Sequence, residues 1–238
     1  MGRAETRRER LRAATMREIT QTARKILVDE GPEAVTLRAI AREMGMTAPA
    51  LYRYFGSHQE LVRHLVGDVF TDLTDNVTAA IHATPPTDMT AKFVAAAKEF
   101  RRWALAHRPE YALLFGVPLP GLEVEKGDFA EECGRRFARA FLAMFLELWR
   151  KKPFDVPADD EIDPALREPL IAYRDLLGAP DLPIGVMVRF LACWIRLQGF
   201  VSLEVFGHLH FALEDAAPMF ELTLAEMTSM LGLEYPPR

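Results

Sequence analysis

Thr36-Leu37-Arg38-Ala39-Ile40-Ala41-Arg42-Glu43-Met44-Gly45-Met46-Thr47-Ala48-Pro49-Ala50-Leu51-Tyr52-Arg53-Tyr54-Phe55 carries two short helical patterns joined by a sharp turn. Leu37, Ile40, Ala41 and Met44 fall at i, i+3, i+4 and i+7, one apolar stripe of a helix. Thr36 stands where a hydroxyl can cap orphan amides, and Gly45 follows where a residue without Cβ turns the chain through the left-handed region. Thr47 is the expected N-cap of the second helix, with Pro49 in a first turn that needs no N–H from it. Gly56 stops that helix. Ser57-His58-Gln59-Glu60 then forms a capping box, with Glu60 expected to reach back to the cap. Three helix boundaries within so few residues describe a helix-turn-helix, which sets a short helix into the major groove of DNA.

A longer helix precedes it, with Ile19, Ala23, Ile26 and Leu27 on one face and Asp29-Glu30-Gly31-Pro32 at its end. Three helices share one small core. Before them Gly2 to Arg12 holds Arg3, Arg7, Arg8, Arg10 and Arg12. Such an arm is either a solvated, disordered terminus or a segment that orders on phosphates or in the minor groove.

The net charge of −5 argues against nucleic acid only until its distribution is read. Up to His58 there are eleven Lys and Arg against seven Asp and Glu, a balance of +4, while the remainder carries 18 against 27, a balance of −9. A basic module on an acidic body concentrates phosphate attraction at one end. At 238 residues and 50% hydrophobic the chain buries a sizeable core. Cys133 and Cys193 are isolated in apolar helical patterns, as buried reduced thiols rather than a disulfide or metal site. The charged N-terminus has no apolar core behind it, as expected of a cytoplasmic protein. Ile184 to Phe206 is the most apolar stretch, but Arg189, Arg196 and Glu204 interrupt it, so no membrane span is expected.

Ile19 to Leu65, and above all Thr36 to Ala41 followed by Gly45 to Phe55, resembles the DNA-binding domain of the tetracycline-repressor (TetR) family. The resemblance implies an all-α homodimer. Residues 1–57 would be the basic arm and helix-turn-helix domain, and 58–238 a larger helical domain for effector binding and dimerisation. Carried over position by position, Arg38, Thr47, Ala48, Pro49 and Ala50 face bases or lie near them, and Tyr52, Tyr54, Ser57 and His58 face phosphate. Thr36 and Arg53 belong to the same DNA-binding set. Trp194-Ile195-Arg196-Leu197-Gln198-Gly199 is similar to the family's subgroup with a Trp-His-Gly (WHG) C-terminal domain, with Gln198 in place of the histidine.

The rest of the chain reads as helices with Pro-marked joints. Pro85-Pro86 ends the helix begun at Ser57, Asp88 caps the next, and Arg108-Pro109 breaks that one before a short helix through Phe115. Gly116 to Gly121 reads as a loop and Asp128 to Lys152 as a long helix, followed by a joint from Pro153 to Pro164. Phe100, Trp103, His107, Tyr111, Phe115, Phe141, Phe145 and Trp149 lie on the middle helices, where the family's ligand cavity sits. Their character favours a hydrophobic or aromatic effector; a plain aromatic core is the alternative. Trp194, Leu197, Val201 and Val205, with Phe220, Leu224, Met227 and Leu231, form stripes on the last two long helices suited to a four-helix dimer interface or to one intramolecular core. Leu213 and Ala217 extend the second stripe. Glu204, His208 and His210 lack the spacing and the fourth ligand of a metal site.

These features together give a ligand-responsive, homodimeric, sequence-specific DNA-binding regulator. Repression of a palindromic operator is the expected sign, with double-stranded DNA and a small molecule as partners and no cofactor or metal. The alternatives are a helical enzyme, against which the chain shows no phosphate loop, metal-ligand helix motif or nucleophile elbow, and a helical binding protein that ignores DNA.

Overall fold

A computed structural model describes residues 6–117 and 127–235. Its described residues are all-helical, with ten α-helices, one 3-10 turn and no strand. Contacts group them into two units, Met1–Asp72 with His107–Gly134, and Leu73–Ala106 with Arg135–Arg238. The expected 1–57 and 58–238 domains follow chain order; these units do not, because a later helix returns to the first.

In the first unit α1 (Arg7–Glu30) opens on a capping box: the Glu9 amide donates to Thr6 Oγ1, and Glu9 Oε2 accepts from the Thr6 amide at 2.7 Å. The basic arm, for which a disordered terminus and an ordering segment were both open, is helical from Arg7 onward; Arg3 lies outside the described residues. Gly31, at φ +88°, ends α1 by donating to Leu27 O. After a turn at Pro32–Ala34 comes α2 (Leu37–Glu43), capped by Thr36 Oγ1, which accepts from the Ala39 amide at 3.1 Å. Gly45, at φ +63°, follows, its amide on Arg42 O and that of Met46 on Ala41 O, the two bonds of a Schellman ending.

The second short helix, α3, is only Ala48–Leu51, with Pro49 in its first turn as expected. Thr47 occupies the N-cap position as expected, though its side chain makes no capping bond. The chain continues through tight turns to Phe55, and α4 (His58–His82) begins. Ser57 Oγ accepts from the Glu60 amide at 3.0 Å. Glu60 reaches one residue past the expected cap, taking the Gly56 amide at 2.6 Å. Ile19, Ala23, Leu27, Ile40, Leu51, Phe55, Leu61 and Leu65 form the core, each at most 2% exposed. Helix α6 (Arg108–Phe115) completes this unit, Tyr111 fully buried beside Phe115.

The second unit takes the far half of α4 with α5 (Met89–Ala106), most of α7 (Phe129–Lys151), α8 (Pro164–Leu176), α9 (Ile184–Val205) and α10 (Ala217–Met230). Asp88 caps α5 through the Ala91 amide. Helix α8 has no counterpart in the sequence reading, since Pro164 and Pro169 obscure it; Pro164 sits at its start, where no N–H is needed, behind the Asp163 cap. Phe100, Phe137, Phe141 and Trp194 form one aromatic cluster, and Phe93, Phe145, Phe154 and Phe190 another. On length and composition α9 is apolar enough to cross a membrane, yet its Met187, Phe190, Leu197 and Val201 pack into this core. Both cysteines are free and buried, and burial pushes the Cys193 thiol up to about 12, which keeps it protonated.

Gly45 tests the turn. A Cβ there meets nothing within 4 Å, so Gly45→Ala costs only backbone strain, about 1–2 kcal/mol. Urea denaturation should show a midpoint lowered to match, and an unchanged midpoint would remove the left-handed turn as a constraint on the fold.

Candidate nucleic-acid interface

The first unit brings the expected DNA-facing residues onto α2, α3 and the start of α4. Arg38, Thr47, Pro49, Tyr52 and Arg53 are exposed, while Ala48 and Ala50 are half-buried, as suits a helix with Leu51 at its root. The front of α3 therefore offers apolar and hydroxyl contacts, with Arg38 as the long cationic donor beside it. Arg38 has the five-donor fork that reads guanine bidentately.

Four of the expected contacts also hold the unit together. Thr36 and Ser57 spend their oxygens as acceptors on caps, which leaves each hydroxyl proton to donate. His58 Nε2 lies 2.5 Å from Val35 O; because a carbonyl only accepts, Nε2 carries the proton, and the ring ties the start of α4 to the entry of α2. Tyr54 lies under the Arg12 guanidinium, 5.5 Å from its ring centre, and Arg12 Nη1 also donates to Arg53 O at 3.0 Å. Arg12 thus fastens α1 to the end of the reading segment.

Arg7, Arg8 and Arg12 on α1 and Arg53 after α3 line an open cleft of about 600 Å³. Four cations around one hollow, none paired with a carboxylate in any bond described for them, suit phosphate oxygens. Helix formation from Arg7 makes this possible, since residues four apart on a helix share a face.

A part-buried network lies further along α1. Arg24 Nη2 donates to Asp72 of α4 at 2.8 Å, and its Nε donates to Glu110 of α6 at 3.1 Å. Glu110 is 3% exposed, and its Oε2 is buried with no hydrogen-bond partner among the described residues. Burial works against the Arg24 charge, but the two carboxylates outweigh it and raise its pKa. Sequence reading missed this network because its members are 48 and 86 residues apart and no local motif marks them.

The expected effector residues are divided between the two units. His107, Tyr111 and Phe115 belong to the first unit, whereas Phe100, Trp103, Phe141, Phe145 and Trp149 belong to the second. Phe100 and Trp103 are fully buried; of the eight, Phe141 and Phe145 line an apolar crevice of about 20 Å³. The expected dimer stripes are likewise packed inside their own unit. Leu197, Val201, Val205, Phe220, Leu224, Met227 and Leu231 are all at most 5% exposed, and Trp194 joins the aromatic cluster. Leu213 precedes α10. Gln198, on the Trp194–Gly199 segment, donates to Ser202 Oγ, and Glu204 is held by Arg101 through two bonds, 2.7 and 2.5 Å. That carboxylate is committed to an ion pair rather than to a metal.

Comparison with known proteins gives two family matches. Residues 19–65 match the bacterial regulatory proteins of the tetR family, and residues 93–227 match the tetracyclin repressor-like C-terminal domain. The HTH-type transcriptional regulator Rv1816 of Mycobacterium tuberculosis is 30% identical over 87% of this chain and 86% of its own length, and Mb1846 of Mycobacterium bovis matches equally. Among solved structures, the regulatory protein SCO4313 is 30% identical with a TM-score of 0.73, covering 94% of this chain and all of that one. A protein from Rhodococcus sp. RHA1 shares the fold at a TM-score of 0.65 and 22% identity, over 92% of this chain and 95% of its own.

Arg24→Met removes the cation from a carboxylate that stays buried. Breaking a fully buried pair costs about 3–5 kcal/mol; with the Arg24 side chain 28% exposed, roughly the lower half of that is expected, as a lowered Tm. Pairing Arg24→Met with Glu110→Leu should recover part of the loss. A single variant as stable as the parent would show the network to be dispensable.

Proposed function

This chain belongs to the TetR family of bacterial regulators, which bind DNA and control transcription, and from that we propose that it is a cytoplasmic, homodimeric repressor released from a palindromic operator by a small molecule. The observation that carries the reading is the joint exposure of Arg38 and the front of α3 on the unit whose flank holds the arginine cleft. Arg38, Thr47, Ala48, Pro49 and Ala50 then meet base edges, while Thr36, Tyr52, Arg53, Tyr54, Ser57 and His58 grip the backbone with Arg7 and Arg8. Few of these side chains can hydrogen-bond a base, so DNA shape contributes to specificity.

The dimer face of this proposal differs from the stripes expected from sequence. Those stripes are filled by their own unit, and the exposed apolar side chains include Ile195 and Leu203 on α9, Phe206 at its C-cap, and Met219 and Leu222 on α10. Ile195, Gly199, Leu203 and Phe206 recur at spacings of four, four and three, one face of α9. A Cβ at Gly199 would meet nothing within 4 Å, so the backbone there is open to close approach by a partner helix. Two such helices from each subunit make a four-helix interface, which buries an apolar row too exposed for a monomer to leave uncovered.

Release is geometric. Helix α4 runs unbroken from His58, next to the reading segment, to His82 in the second unit, and Glu110 of α6 bonds to α1 through Arg24. An effector with higher affinity for a state that moves these helices shifts the separation of two reading helices away from one DNA turn, about 34–36 Å, and both can no longer dock.

Two experiments test this reading. Arg38→Ala should weaken binding to operator DNA from the flanking intergenic region by about 1–3 kcal/mol, with little change on an unrelated fragment; equal losses on both would assign Arg38 to phosphate. Sedimentation equilibrium at micromolar concentration should give twice the 26.9 kDa chain mass, falling to the chain mass for Ile195→Glu. A monomeric parent would sink the dimer.

A further inference from the structure

A cleft of about 350 Å³, separate from the aromatic clusters, opens in the second unit between the far end of α4, the first turn of α5 and the middle of α7. Its shape follows from α7. Ala140, Ala143, Met144 and Glu147 fall at i, i+3, i+4 and i+7 and share one face, and the two alanines withdraw side-chain volume where a core would need it. The volume lies within the range of small-molecule sites and is far too small for a macromolecular segment.

One end of the cleft is cationic. Lys92 Nζ donates to both oxygens of Glu147, at 2.9 and 2.8 Å, and Lys151 Nζ donates to Glu147 Oε1 at 2.6 Å. Two ammonium groups share one carboxylate, which leaves a net positive charge. Lys151 and then Lys92 hold the Glu147 carboxyl below its usual range, so it stays ionised and the count holds at neutral pH. The Lys92 side chain is 12% exposed, and an ammonium has three donors, of which Glu147 takes two. The third is available to a ligand oxygen, beside the Thr78 hydroxyl and the His82 ring on the rim; the Thr84 hydroxyl, also on the rim, donates to Ile81 O at 2.7 Å.

The other end is a movable wall. Met144 lines this cleft and also the apolar crevice on its far side, where Phe93, Phe141, Phe145, Phe190 and Trp194 meet around about 20 Å³. That space holds no more than a water-sized probe. A methionine is unbranched and changes rotamer at little cost, so turning Met144 aside would join an open, charged cleft to a closed aromatic one.

We propose that this cleft is the head-group and entry site for a small amphiphilic monocarboxylate, its carboxylate on Lys92 and its alkyl or aryl end displacing Met144 into the aromatic crevice. The inference deepens the effector reading, on which it rests for any consequence at DNA; binding itself does not depend on it. It also explains why most of the expected aromatic pocket is packed shut: its opening requires the ligand's apolar end.

Calorimetric titration of the full chain with decanoate and 4-phenylbutyrate, each against its primary amide, tests the proposal. At least one acid should bind, and about tenfold or more tightly than its amide, the worth of one charge-assisted hydrogen bond. Lys92→Gln should erase that preference, and Met144→Phe should weaken acid and amide alike. No binding of either acid up to about 1 mM, equal binding of acid and amide, or a preference that survives Lys92→Gln would each overturn it. The acid–amide comparison on the unaltered protein needs no variant to fold. Operator binding, followed separately by anisotropy without ligand, tests the regulator reading: its loss would sink that reading and leave the calorimetric result standing.

Discussion

A reading helix of four residues cannot hold itself in place. One helical turn fixes several backbone dihedrals for a single hydrogen bond and is unstable in isolation, so α3 exists only as far as its surroundings define it. Those surroundings are specific. Leu51 and Phe55 are fully buried under its far side, the Schellman turn at Gly45 sets its entry, His58 ties the following helix to the Val35 carbonyl, and Arg12 holds the Arg53 carbonyl from α1. The side chains that face outward from α3 are therefore positioned by residues that never leave the protein. Several residues with the family's phosphate-facing pattern are thus also structural, and a donor held still on a hydrogen-bonded cap loses less entropy on meeting any ligand.

The same dependence gives the first unit a way to feel α6. Arg24 bridges α1 to both α4 and α6, and its Glu110 partner keeps one oxygen buried without a hydrogen-bond partner among the described residues. An unsatisfied buried acceptor is costly, more so for a charged group. It is tolerated here beside the Arg24 guanidinium, where small displacements of α6 change the geometry of a part-buried ion pair rather than that of a fully exposed surface contact. Part-buried pairs respond more steeply to distance than exposed ones because less solvent screens them. The pair is thus a sharper link between α6 and α1 than apolar packing alone would be.

The helix-turn-helix was legible because its signals are local: Thr36, Gly45 and Pro49 each act within a turn of where they stand, whereas Gly56 does not stop the second short helix as expected, since α3 already ends at Leu51. The helical start of the basic arm was legible too, since Thr6-Arg7-Arg8-Glu9 is itself a capping box, but five arginines in eleven residues drew attention to charge instead of to the cap. Helix α8 was hidden for the converse reason, two prolines that read as breaks. The Arg24 network could not be found from the chain at all. Its members are ordinary charged residues on three helices, and only folding makes them neighbours.

Which apolar stripe of a helix faces its own core and which faces outward is the harder question, and α9 shows why. Its hydrophobic residues cover more than half its circumference, so periodicity alone gives two stripes of equal quality. The choice is made by what α5 and α10 present. Arg101 on α5 donates to Glu204 of α9 and lies 4.9 Å from the centre of the Phe220 ring of α10, fixing the rotation of both helices about their axes. With Glu204 turned toward α5, Val201 and Val205 fall inside, and Leu203 and Phe206, on the neighbouring stripe, are turned out. One ion pair between charged residues therefore helps set which half of an apolar helix stays exposed, something the hydrophobic pattern alone does not contain.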